Sequence, residues 1–323
     1  NGTPGCDDEA CCNAVCSVDP FCCDSEWDSI CADETAGLCD VPACGPDCGD
    51  DKENVECLSG TAYNNRRFVG RLLTAGGSCT AWIIGGPDIV ITNGHCVSDS
   101  AQPSDFTVEF NYECSLCPGG VQKPVDSFGV TEIIVDNDTA DYALLRLDGD
   151  AASTYGQASI DPTGVSVGTP IYEIHHAGGQ PKGSDFGAIL ALNQDVNCPG
   201  DVPEHHVSVI ASGGASGSPV FRTANNCVVA ICNCGPDCAE GYVVPIETVM
   251  ETAAAEIIDA GGNLDLCDVS NPNCPGKGDC FSGNGTPGCN DATCCNEVCF
   301  ADPFCCDNQW DGLCADQAEV TCN

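Results

Sequence analysis

Short apolar runs, separated by polar and turn-forming residues, fill the middle of the chain from Phe68 onward. Runs of this kind, rich in Val, Ile and Leu and bounded by turn residues, are typical of β-strands. Many short strands at even spacing favour an antiparallel barrel or sandwich. The predicted strands cover residues 68–74, 78–84, 88–92, 106–110, 129–135, 141–147, 170–175, 205–210, 227–232 and 242–245.

One helix is predicted at the end of this strand-rich region, over residues 246–260. Its apolar residues recur every three or four positions, which places them on one helix face, and Gly261-Gly262 ends the helix. The region holds enough Val, Ile and Leu for the core of one domain of ordinary size. The apolar helix positions are Ile246, Val249, Met250, Ala253 and Ile257.

The two ends of the chain repeat one cysteine-rich pattern. When residues 1–40 are aligned with residues 284–323 without a gap, 24 of the 40 positions are identical. The identities include all eight Cys of each copy and the pair Trp27 and Trp310. The chain therefore carries a duplicated module.

Cysteine spacing within each module predicts two short helices that disulfides join as a hairpin. Residues four apart lie on the same helix face, and an Asp-Pro pair between two such sets breaks the helix. About 40 residues bury too little apolar area to fold alone, so disulfides of about 2–4 kcal/mol each would be the main stabiliser. In the first copy the sets are Cys12 with Cys16, and Cys23 with Trp27 and Cys31, separated by Asp19-Pro20.

Metal binding is the alternative use of the module residues. Zinc is disfavoured, because adjacent Cys-Cys pairs do not match the Cys-x2-Cys spacing of zinc sites and neither copy contains His. Neither copy contains Lys or Arg, so the carboxylates form either a solvated acidic face or oxygen ligands of Ca²⁺. The candidate Ca²⁺ ligands are Asp19, Asp24, Asp28 and Asp33, matched by Asp302, Asp307, Asp311 and Asp316.

Cysteine density divides the chain into five predicted segments. The first module covers residues 1–40, a Cys-containing linker 41–61, the strand-rich domain 62–267, a second linker 268–283 and the second module 284–323. The odd total of 31 Cys leaves one Cys free or bound to another chain.

Charge and cysteine content narrow the function classes. The chain has 49 Asp and Glu against 9 Lys and Arg, a formal net charge of −40. Such a surface repels phosphate backbones and anionic headgroups, so no nucleic-acid or membrane partner is expected. The cysteine content is typical of disulfide-bonded proteins made in an oxidising compartment. No apolar run is long enough for a membrane span, and the chain opens on Asn1-Gly2-Thr3-Pro4 rather than on a signal peptide, so we expect a mature, secreted, extracellular product.

Three short islands in the strand-rich domain carry the residue types that acyl transfer needs. A Ser hydroxyl becomes an effective nucleophile when an imidazole takes its proton, and a buried carboxylate orients that imidazole. His95 directly follows an apolar strand, Asp141 heads a strand, and Ser216 lies in a glycine-rich loop. The islands are Ile91-Thr92-Asn93-Gly94-His95-Cys96, Asp141-Tyr142-Ala143-Leu144-Leu145-Arg146-Leu147 and Gly213-Gly214-Ala215-Ser216-Gly217-Ser218-Pro219.

These islands resemble those of chymotrypsin-like serine proteases, and the resemblance covers about residues 65–262. It implies two six-stranded antiparallel barrels with the three residues in the cleft between them, and a C-terminal helix. It also implies a disulfide between Cys79 and Cys96, beside the catalytic His. The matching family patterns are Ala-Ala-His-Cys for Thr92 through Cys96, Asp-x-Ala-Leu-Leu-x-Leu for Asp141 through Leu147, and the bacterial Gly-x-Ser-Gly-Ser-Pro for Gly214 through Pro219.

The resemblance also implies a role for each site residue. Ser216 would attack the scissile carbonyl, His95 would act as general base and then general acid, and Asp141 would orient His95. The backbone N–H groups of Gly214 and Ser216 would form the oxyanion hole, where one lost donor costs roughly 10²–10³ in rate. This chemistry requires no cofactor.

Two further likenesses bear on substrate preference. The segment from Ile174 to Lys182 is similar to one in bacterial lysyl endopeptidases, which indicates cleavage after Lys. Residues Cys234 through Tyr242 occupy the place of the family's pocket rim. There Glu240 or Asp237, next to Gly235, would be the acid that selects Lys or Arg.

Two positions depart from the family pattern. Ile210, six residues before Ser216, stands where trypsin-like members have their pocket acid. Ala215 stands where animal members have the Asp that pairs with a freed N-terminus, so that activation switch is not expected. The His pairs 175–176 and 205–206 are interpreted as strand and loop residues, with metal ligation as the alternative.

The leading hypothesis is a secreted serine endopeptidase that cleaves a protein or peptide substrate through an acyl-enzyme. The alternative is a structural protein that keeps a protease fold and assembles into homo-oligomers or filaments through its terminal modules. In a third hypothesis the modules bind a glycan or a cell surface and localise the protease.

Overall fold

Two closed β-barrels form the centre of the protein, and a disulfide-rich helical module follows them in the chain. The computed structural model describes residues 12, 15–16, 19–25, 27, 31, 53–97, 100–117, 120–235, 240–267 and 273–322. Most of the first module, the linker up to residue 52, and the predicted site residues Asp28, Asp33 and Asp237 lie outside the described residues.

The strands follow the apolar runs of the sequence. In chain order they are β1 (Glu53–Asn54), β2 (Val69–Thr74), β3 (Gly77–Gly85), β4 (Ile89–Thr92), β5 (Thr107–Phe110), β6 (Asp126–Asn137), β7 (Tyr142–Leu147), β8 (Ser159–Ile160), β9 (Pro170–His175), β10 (Gly183–Gln194), β11 (Glu204–Val207), β12 (Pro219–Arg222), β13 (Val228–Cys234), β14 (Gly241–Pro245) and β15 (Asp265–Leu266).

The first barrel is antiparallel and has six strands in the order β2-β3-β4-β7-β6-β5, with β5 closing onto β2. Ala81, Trp82, Ile83 and Ile84 of β3 are all fully buried. Because successive side chains on a strand point to opposite faces, β3 is covered both inside and outside the barrel. The outer face is buried because residues of the second barrel and of the C-terminal helix join the same core.

The second barrel is also antiparallel and six-stranded, in the order β12-β9-β10-β11-β14-β13, and pairing of β13 with β12 closes it. Short strands extend this sheet, since β8 lies parallel to β13, β15 parallel to β8, and β1 antiparallel to β10. The double antiparallel barrel implied by the resemblance is therefore confirmed.

All ten predicted strands are present, and the sequence pattern misses the short strands β1, β8 and β15 and two barrel strands, β10 and β12. Most residues of β10 are only half-buried, and its sequence includes Ser184, Asp185 and Gly187, so no apolar run marks it. β12 has four residues and begins at Pro219, directly after the glycine-rich loop. A Pro at the first residue of a strand is tolerated because no ladder hydrogen bond is lost there.

The helix predicted at the end of the barrels runs from Ile246 to Asp259. Its apolar residues are buried against the core. Gly261 adopts a φ of +84°, and its N–H donates to the carbonyl of Ile258. A glycine in this left-handed conformation is a common helix end. In chain order the α-helices are α1 (Phe21–Asp24), α2 (Gly60–Asn65), α3 (Ala152–Tyr155), α4 (Ile246–Asp259), α5 (Ala292–Ala301), α6 (Phe304–Asp307) and α7 (Gly312–Thr321).

The C-terminal module consists of α5, α6 and α7, which corrects the prediction of two helices. The predicted second helix is interrupted after Asp307, and a new helix starts at Gly312. Asp311 is the cause, because its carboxylate accepts the N–H groups of Leu313 and Cys314 and so caps α7. Trp310 lies in the break, fully buried, with Nε1 donating to the carbonyl of Cys280 at 2.9 Å.

Disulfides form most of the core of this module. Two of the pairs recur in the described part of the first module, where Cys16–Cys23 and Cys22–Cys31 correspond to Cys299–Cys306 and Cys305–Cys314. The duplication thus extends from sequence to covalent structure. The disulfides of the C-terminal module are Cys274–Cys295, Cys280–Cys289, Cys294–Cys322, Cys299–Cys306 and Cys305–Cys314.

The C-terminal module packs on the barrels of its own chain. Both α5 and α7 contact α4. Phe300 and Ala301 of α5 pack against the main hydrophobic core. Before the barrels in the chain, residues of the predicted linker 41–61 are also attached to the barrels. Cys57 is bonded to Cys117, and β1 pairs with β10. Domain boundaries at the predicted positions stay a prediction.

Two of the candidate Ca²⁺ ligands in the module accept backbone N–H groups at helix N-termini. Asp302 accepts the N–H of Phe304 at 3.0 Å, and Asp311 caps α7 as described above. Binding of Ca²⁺ by these carboxylates stays a prediction.

The odd cysteine count is partly explained by Cys232 of β13, which is a free thiol with 1% exposure. A thiol at this depth cannot bond to another chain without unfolding of the barrel. Among the described residues, the helices are all too short or too polar to cross a membrane.

Candidate active site

His95 and Asp141 are brought together by the pairing of β4 with β7. His95 lies in a 3₁₀ turn (Gly94–Cys96) just after β4, and Asp141 immediately precedes β7. The ladder pairs Thr92 with Ala143, which sets the two side chains beside each other. Asp141 Oδ2 lies 2.8 Å from His95 Nδ1, and Asp141 Oδ1 accepts the backbone N–H of His95 at 2.8 Å.

His95 and Asp141 differ in how far they are buried. Asp141 is 3% exposed, whereas the His95 side chain is 30% exposed. An ionised carboxylate can only accept hydrogen bonds, so Nδ1 of the imidazole carries the proton and Nε2 is left as the base. Asn93 fixes the backbone of Asp141 by donating its Nδ2 to the Asp141 carbonyl at 3.0 Å.

Ser216 lies in the loop between β11 and β12 of the second barrel, and groups of the first barrel hold this loop. The N–H of Thr80 donates to the Ser216 carbonyl at 2.9 Å, and Nε1 of Trp82 donates to the Gly217 carbonyl at 3.0 Å. A Cβ on Gly217 would lie 3.1 Å from the backbone N of Asn93, two residues before His95. The three predicted residues therefore belong to one region of contact between the barrels.

The Ser216 hydroxyl donates to the carbonyl of Asn233 at 3.2 Å. Within the described chain, no hydrogen bond joins it to His95. In proteases without substrate, hydrogen bonds between catalytic groups are often long or poorly aligned and shorten in the complex.

The peptides that carry the predicted oxyanion donors are held by their carbonyl groups. The Gly213 carbonyl accepts the N–H of Gly178 at 2.6 Å, and the Ala215 carbonyl accepts the N–H of Ser218 at 2.9 Å. In a planar trans peptide the C=O and N–H point in opposite directions. The N–H groups of Gly214 and Ser216 therefore point away from these supports, and neither donates to any group in the described part of the chain.

Gly214 is required at its position. Its φ is +94°, and a Cβ there would lie 2.5 Å from the carbonyl oxygen of His176 and 2.8 Å from the N of Gly179. The loop thus packs directly on the 3₁₀ turn formed by residues Ala177–Gly179. The hydroxyl of Thr80 joins the two, because it donates to the Gly214 carbonyl at 2.9 Å and accepts the N–H of His176 at 3.0 Å.

Sequence reasoning misses a buried carboxyl group on the Asp141 side of the site. Glu204, the first residue of β11, is 2% exposed and accepts Asn233 Nδ2 at 2.8 Å through Oε1. Burial, with a smaller contribution from nearby Asp141, raises the pKa of Glu204 to about 7. The signal available in the sequence is a charged residue at the start of an apolar run, which is common at strand ends and thus unspecific.

The segment that resembles lysyl endopeptidases has a structural role in this chain. Lys182 is fully buried, donates to the Arg66 carbonyl at 2.8 Å, and lies 3.2 Å from a carboxylate oxygen of Glu113. His175 and His176 are buried on β9 and the following turn, with His176 Nδ1 3.0 Å from the carbonyl of Gln180. In the described residues, the groups close enough to share a metal ion consist of cysteines, most of them in disulfides.

Of the predicted pocket residues, Gly235 and Glu240 lie among the described residues. Glu240 is half-exposed, and its carboxylate contacts His206 Nε2 at 3.0 Å. Gly235 packs on Ala211, since a Cβ on Gly235 would lie 2.6 Å from the Ala211 Cβ. Ile210 is fully buried, and Asp237 lies outside the described residues. The assignment of a substrate-binding acid stays a prediction.

A hollow of about 430 Å³ opens beside His95 on the side of the first barrel. Thr74, Gly76, Cys96 and Phe106 line it together with His95. The disulfide between Cys79 and Cys96 forms behind it, with an S–S distance of 1.96 Å. The imidazole is therefore reachable, and there is room next to it for part of a bound peptide.

Comparison with known families agrees with this architecture. Residues 79–231 match the family model described as the trypsin-like peptidase domain. The match is a little under half of the chain, and it includes His95, Asp141 and Ser216. The terminal modules lie outside it.

Two curated proteins are similar in sequence. A protein named secreted RxLR effector protein 73, from Plasmopara viticola, is 30% identical over 206 residues, which are 58% of this chain and 50% of that protein. A protein named glutamyl endopeptidase, from Bacillus licheniformis, is 27% identical over 201 residues, 59% of this chain and 57% of that protein. This chain spans about half the length of these relatives.

Solved structures also align with the barrels. The Rv3671c protein of M. tuberculosis, in an inactive form, aligns with a TM-score of 0.48 and 17% identity over 66% of this chain and 95% of that one. A Glu endopeptidase structure aligns with a TM-score of 0.47 and 21% identity over 62% of this chain and 95% of that one. The fold assignment rests on the strand pairing given above. In sequence and in strand pairing, the region of residues 79–231 is similar to a trypsin-like peptidase domain.

Proposed function

We propose that this protein is a serine endopeptidase in which Ser216, His95 and Asp141 form the catalytic triad. The observation that carries the proposal is the pair of hydrogen bonds between buried Asp141 and half-buried His95, next to the Ser216 loop. A carboxylate bonded to Nδ1 fixes the tautomer in which Nε2 can take a proton from a hydroxyl. The family match over residues 79–231 supports the same assignment.

The reaction would proceed in two acyl-transfer steps. His95 takes the Ser216 proton as the hydroxyl oxygen adds to the scissile carbonyl, and the negative charge that develops is stabilised by the N–H groups of Gly214 and Ser216. His95 then returns the proton to the leaving amine. Water, activated by His95 in the same way, hydrolyses the acyl-enzyme and restores Ser216.

Covalent labelling tests this proposal directly. The protein is treated with a fluorophosphonate, and its intact mass is compared with that of Ser216→Ala and of Ser166→Ala, an exposed serine. We expect one adduct on the wild-type protein and on Ser166→Ala, and none on Ser216→Ala. An unlabelled wild-type protein, or an adduct that persists in Ser216→Ala, contradicts the proposal.

For the substrate we propose a protein or peptide that is cut after a basic residue. The support is electrostatic, since a net charge of −40 attracts cationic peptides and repels acidic ones. Glu240, near Gly235, is the described acid at the predicted pocket rim, although its carboxylate contacts His206. Matched peptides with Lys, Arg, Glu or Leu before the scissile bond test this, because one of the relatives is named a glutamyl endopeptidase. Faster cleavage after Glu than after Lys contradicts the proposal.

We also propose that the protein is secreted and works outside the cell. The support is its many disulfides, which persist in oxidising compartments, and the name of one relative as a secreted effector. The packing of α5 and α7 on α4 favours a stabilising role for the C-terminal module over a role in assembly. Formation of homo-oligomers or filaments stays a prediction, for which light scattering with and without Ca²⁺ is the test.

A further inference from the structure

Glu173 is a buried carboxyl group for which the proposed mechanism has no use. It lies on β9 in the second barrel and has no exposed surface. Its Oε1 is hydrogen-bonded to the hydroxyl of Ser218, which is also fully buried and lies two residues after Ser216. The same hydroxyl is 2.6 Å from the carbonyl oxygen of Ala215. Glu173, Ser218 and Ala215 therefore form a continuous line beneath the nucleophile loop.

The Ala215 carbonyl belongs to the peptide that carries the N–H of Ser216. That carbonyl accepts two hydrogen bonds from Ser218, one from its N–H at 2.9 Å and one from its hydroxyl. Because the peptide is planar, a bond that fixes the C=O also fixes the direction of the N–H on its other side. The Ala215 side chain is a methyl group and cannot hold the loop by itself. The polar support of this peptide comes from Ser218 and, through it, from Glu173.

The single proton of the Ser218 hydroxyl decides whether Glu173 must be protonated for both hydrogen bonds to form. The Ser218 hydroxyl has one proton and cannot donate it both to the Ala215 carbonyl and to a carboxylate. With a proton on Glu173, the carboxylic acid donates to Ser218, and Ser218 donates to Ala215. Burial, with a smaller contribution from Asp185, raises the pKa of Glu173 to about 8. The neutral acid is therefore the form present at neutral pH, and it satisfies both hydrogen bonds.

The groups that face Glu173 supply no positive charge. Asp185 is its partner across β9 and β10, and the thiol of Cys232 on β13 lies against it. His175, two residues along β9, uses Nδ1 to accept the N–H of Ala177. Among the described Lys and Arg side chains, none forms an ion pair with Glu173. Ionisation of Glu173 would leave a buried carboxylate without a counter-charge.

We propose that Glu173, in its protonated form, is a positioning residue for the oxyanion hole: through Ser218 it holds the Ala215–Ser216 peptide, and its ionisation at alkaline pH lowers the catalytic rate. The inference rests on the proposed function, because it concerns the same nucleophile loop. An ionised carboxylate only accepts hydrogen bonds. The Ser218 hydroxyl would then donate to ionised Glu173 instead of to the Ala215 carbonyl. The peptide keeps the Ser218 N–H as its remaining donor, and the Ser216 N–H is less well fixed.

The test is the pH dependence of kcat and KM for three proteins, the wild type, Glu173→Ala and Glu173→Gln. Gln donates to Ser218 as the carboxylic acid does, but it does not titrate. We expect the wild-type kcat to fall about tenfold above about pH 8, which is less than the roughly 10²–10³ for complete loss of one oxyanion donor. Glu173→Ala removes the group that holds the Ser218 oxygen in place, so this variant should lose up to about tenfold in kcat already at neutral pH with KM unchanged. Glu173→Gln should restore that rate and show no alkaline decline.

A matched control is Glu297→Gln in the C-terminal module. Burial and the nearby Asp265 and Asp291 raise the pKa of Glu297 to about 7, but this residue does not contact the barrels' nucleophile loop. Its substitution should leave the alkaline decline as in the wild type. The decline should instead be absent in Ser218→Ala, since that variant has no hydroxyl proton for ionised Glu173 to take.

Two outcomes contradict different claims. An alkaline decline in Glu173→Gln equal to that of the wild type overturns the inference and leaves the serine endopeptidase standing. Absence of a fluorophosphonate adduct on wild-type Ser216 at pH 7 overturns the proposed function, and with it this inference. Should Glu173→Ala fail to fold by circular dichroism, the profile of Glu173→Gln decides, because the two side chains have the same shape.

Discussion

The two barrels contribute to the candidate site in different ways. The first barrel supplies side chains, since His95 and Asp141 are joined by two hydrogen bonds at 2.8 Å each. The second barrel supplies a loop whose working groups are one hydroxyl and two backbone N–H groups, those of Gly214 and Ser216. One half of the site therefore depends on charge and proton position, and the other half depends on backbone conformation.

The two halves of the site are also held in place by different kinds of contact. The ladder between β4 and β7 sets the position of the His95 and Asp141 pair, and a ladder register is fixed by many hydrogen bonds. The nucleophile loop lies outside any ladder and is held by individual hydrogen bonds from Thr80, Trp82, Gly178 and Ser218. Substitutions should therefore affect the two halves of the site differently.

Replacing Asp141 with Asn should abolish most of the activity. The Asn side chain has one oxygen that accepts and an NH₂ group that donates, so His95 is no longer held with its proton on Nδ1. We expect kcat to fall by roughly 10⁴ with KM little changed. Asp138→Asn is the control, because it removes the same charge from an exposed position nearby. If the activity of Asp141→Asn stays within tenfold of the wild type, the first barrel does not act by keeping the proton on Nδ1 of His95.

Replacing Gly214 with Ala tests the backbone half. The new Cβ would meet the His176 carbonyl at 2.5 Å in a conformation, φ +94°, that L-residues rarely adopt, so the loop must move. We expect kcat to fall by roughly 10²–10³, the cost of one lost oxyanion donor, while circular dichroism and KM stay close to wild type. Gly213→Ala is the matched control, since a Cβ there meets nothing within 4 Å. Equal losses in both variants would contradict the argument.

Replacing Thr80 with Val removes the hydroxyl that links the first barrel to the nucleophile loop. The Gly214 carbonyl and the His176 N–H each lose a partner in a buried place, which typically costs about 1–3 kcal/mol of stability. We expect the free energy of unfolding in urea to fall by that amount and kcat to fall about tenfold, less than for a lost donor. Thr80→Ser should recover both. Val at this position with wild-type kcat would show that the loop holds its shape without the first barrel.

The side-chain half of the site could be predicted from the sequence, and the backbone half only in outline. His95 and Asp141 follow or head apolar runs, so their places at strand ends are visible in the pattern. The supports of the loop are not visible. Thr80 is one of several Thr in strands, and its contacts with Gly214 and His176 depend on how two barrels meet.

The same limit applies to the second barrel and to the C-terminal module. β10 is half-exposed and contains Gly187, so periodicity does not mark it, although it contributes to closing the barrel. In the module, cysteine spacing predicts helices correctly, but the cap made by Asp311 splits the second one. Local spacing predicts which residues can share a helix face. Capping and closure depend on neighbours that are distant in the sequence.

Glu204 belongs to the second barrel but lies close to Asp141 of the first, so it tests whether the halves are as separate as the comparison suggests. Its pKa is about 7 in the folded protein and about 4.5 ordinarily. Between these values the folded state holds a proton that the unfolded state has lost, so stability is full below about pH 4.5 and declines as pH rises to about 7.

Glu204→Gln should remove this part of the pH dependence, about 2 kcal/mol between pH 5 and pH 7.5, in urea unfolding of both proteins. Glu251→Gln, on the exposed face of α4, should leave the wild-type slope unchanged, since its carboxyl is exposed in the folded state as in the unfolded one. If the free energy of unfolding changes with pH in the same way for Glu204→Gln and wild type, Glu204 is solvated and loses its proton in the folded state as it does in the unfolded state. If the slopes differ, Glu204 of the backbone half keeps its proton in the folded state mainly because it is buried, with a smaller contribution from Asp141 of the side-chain half.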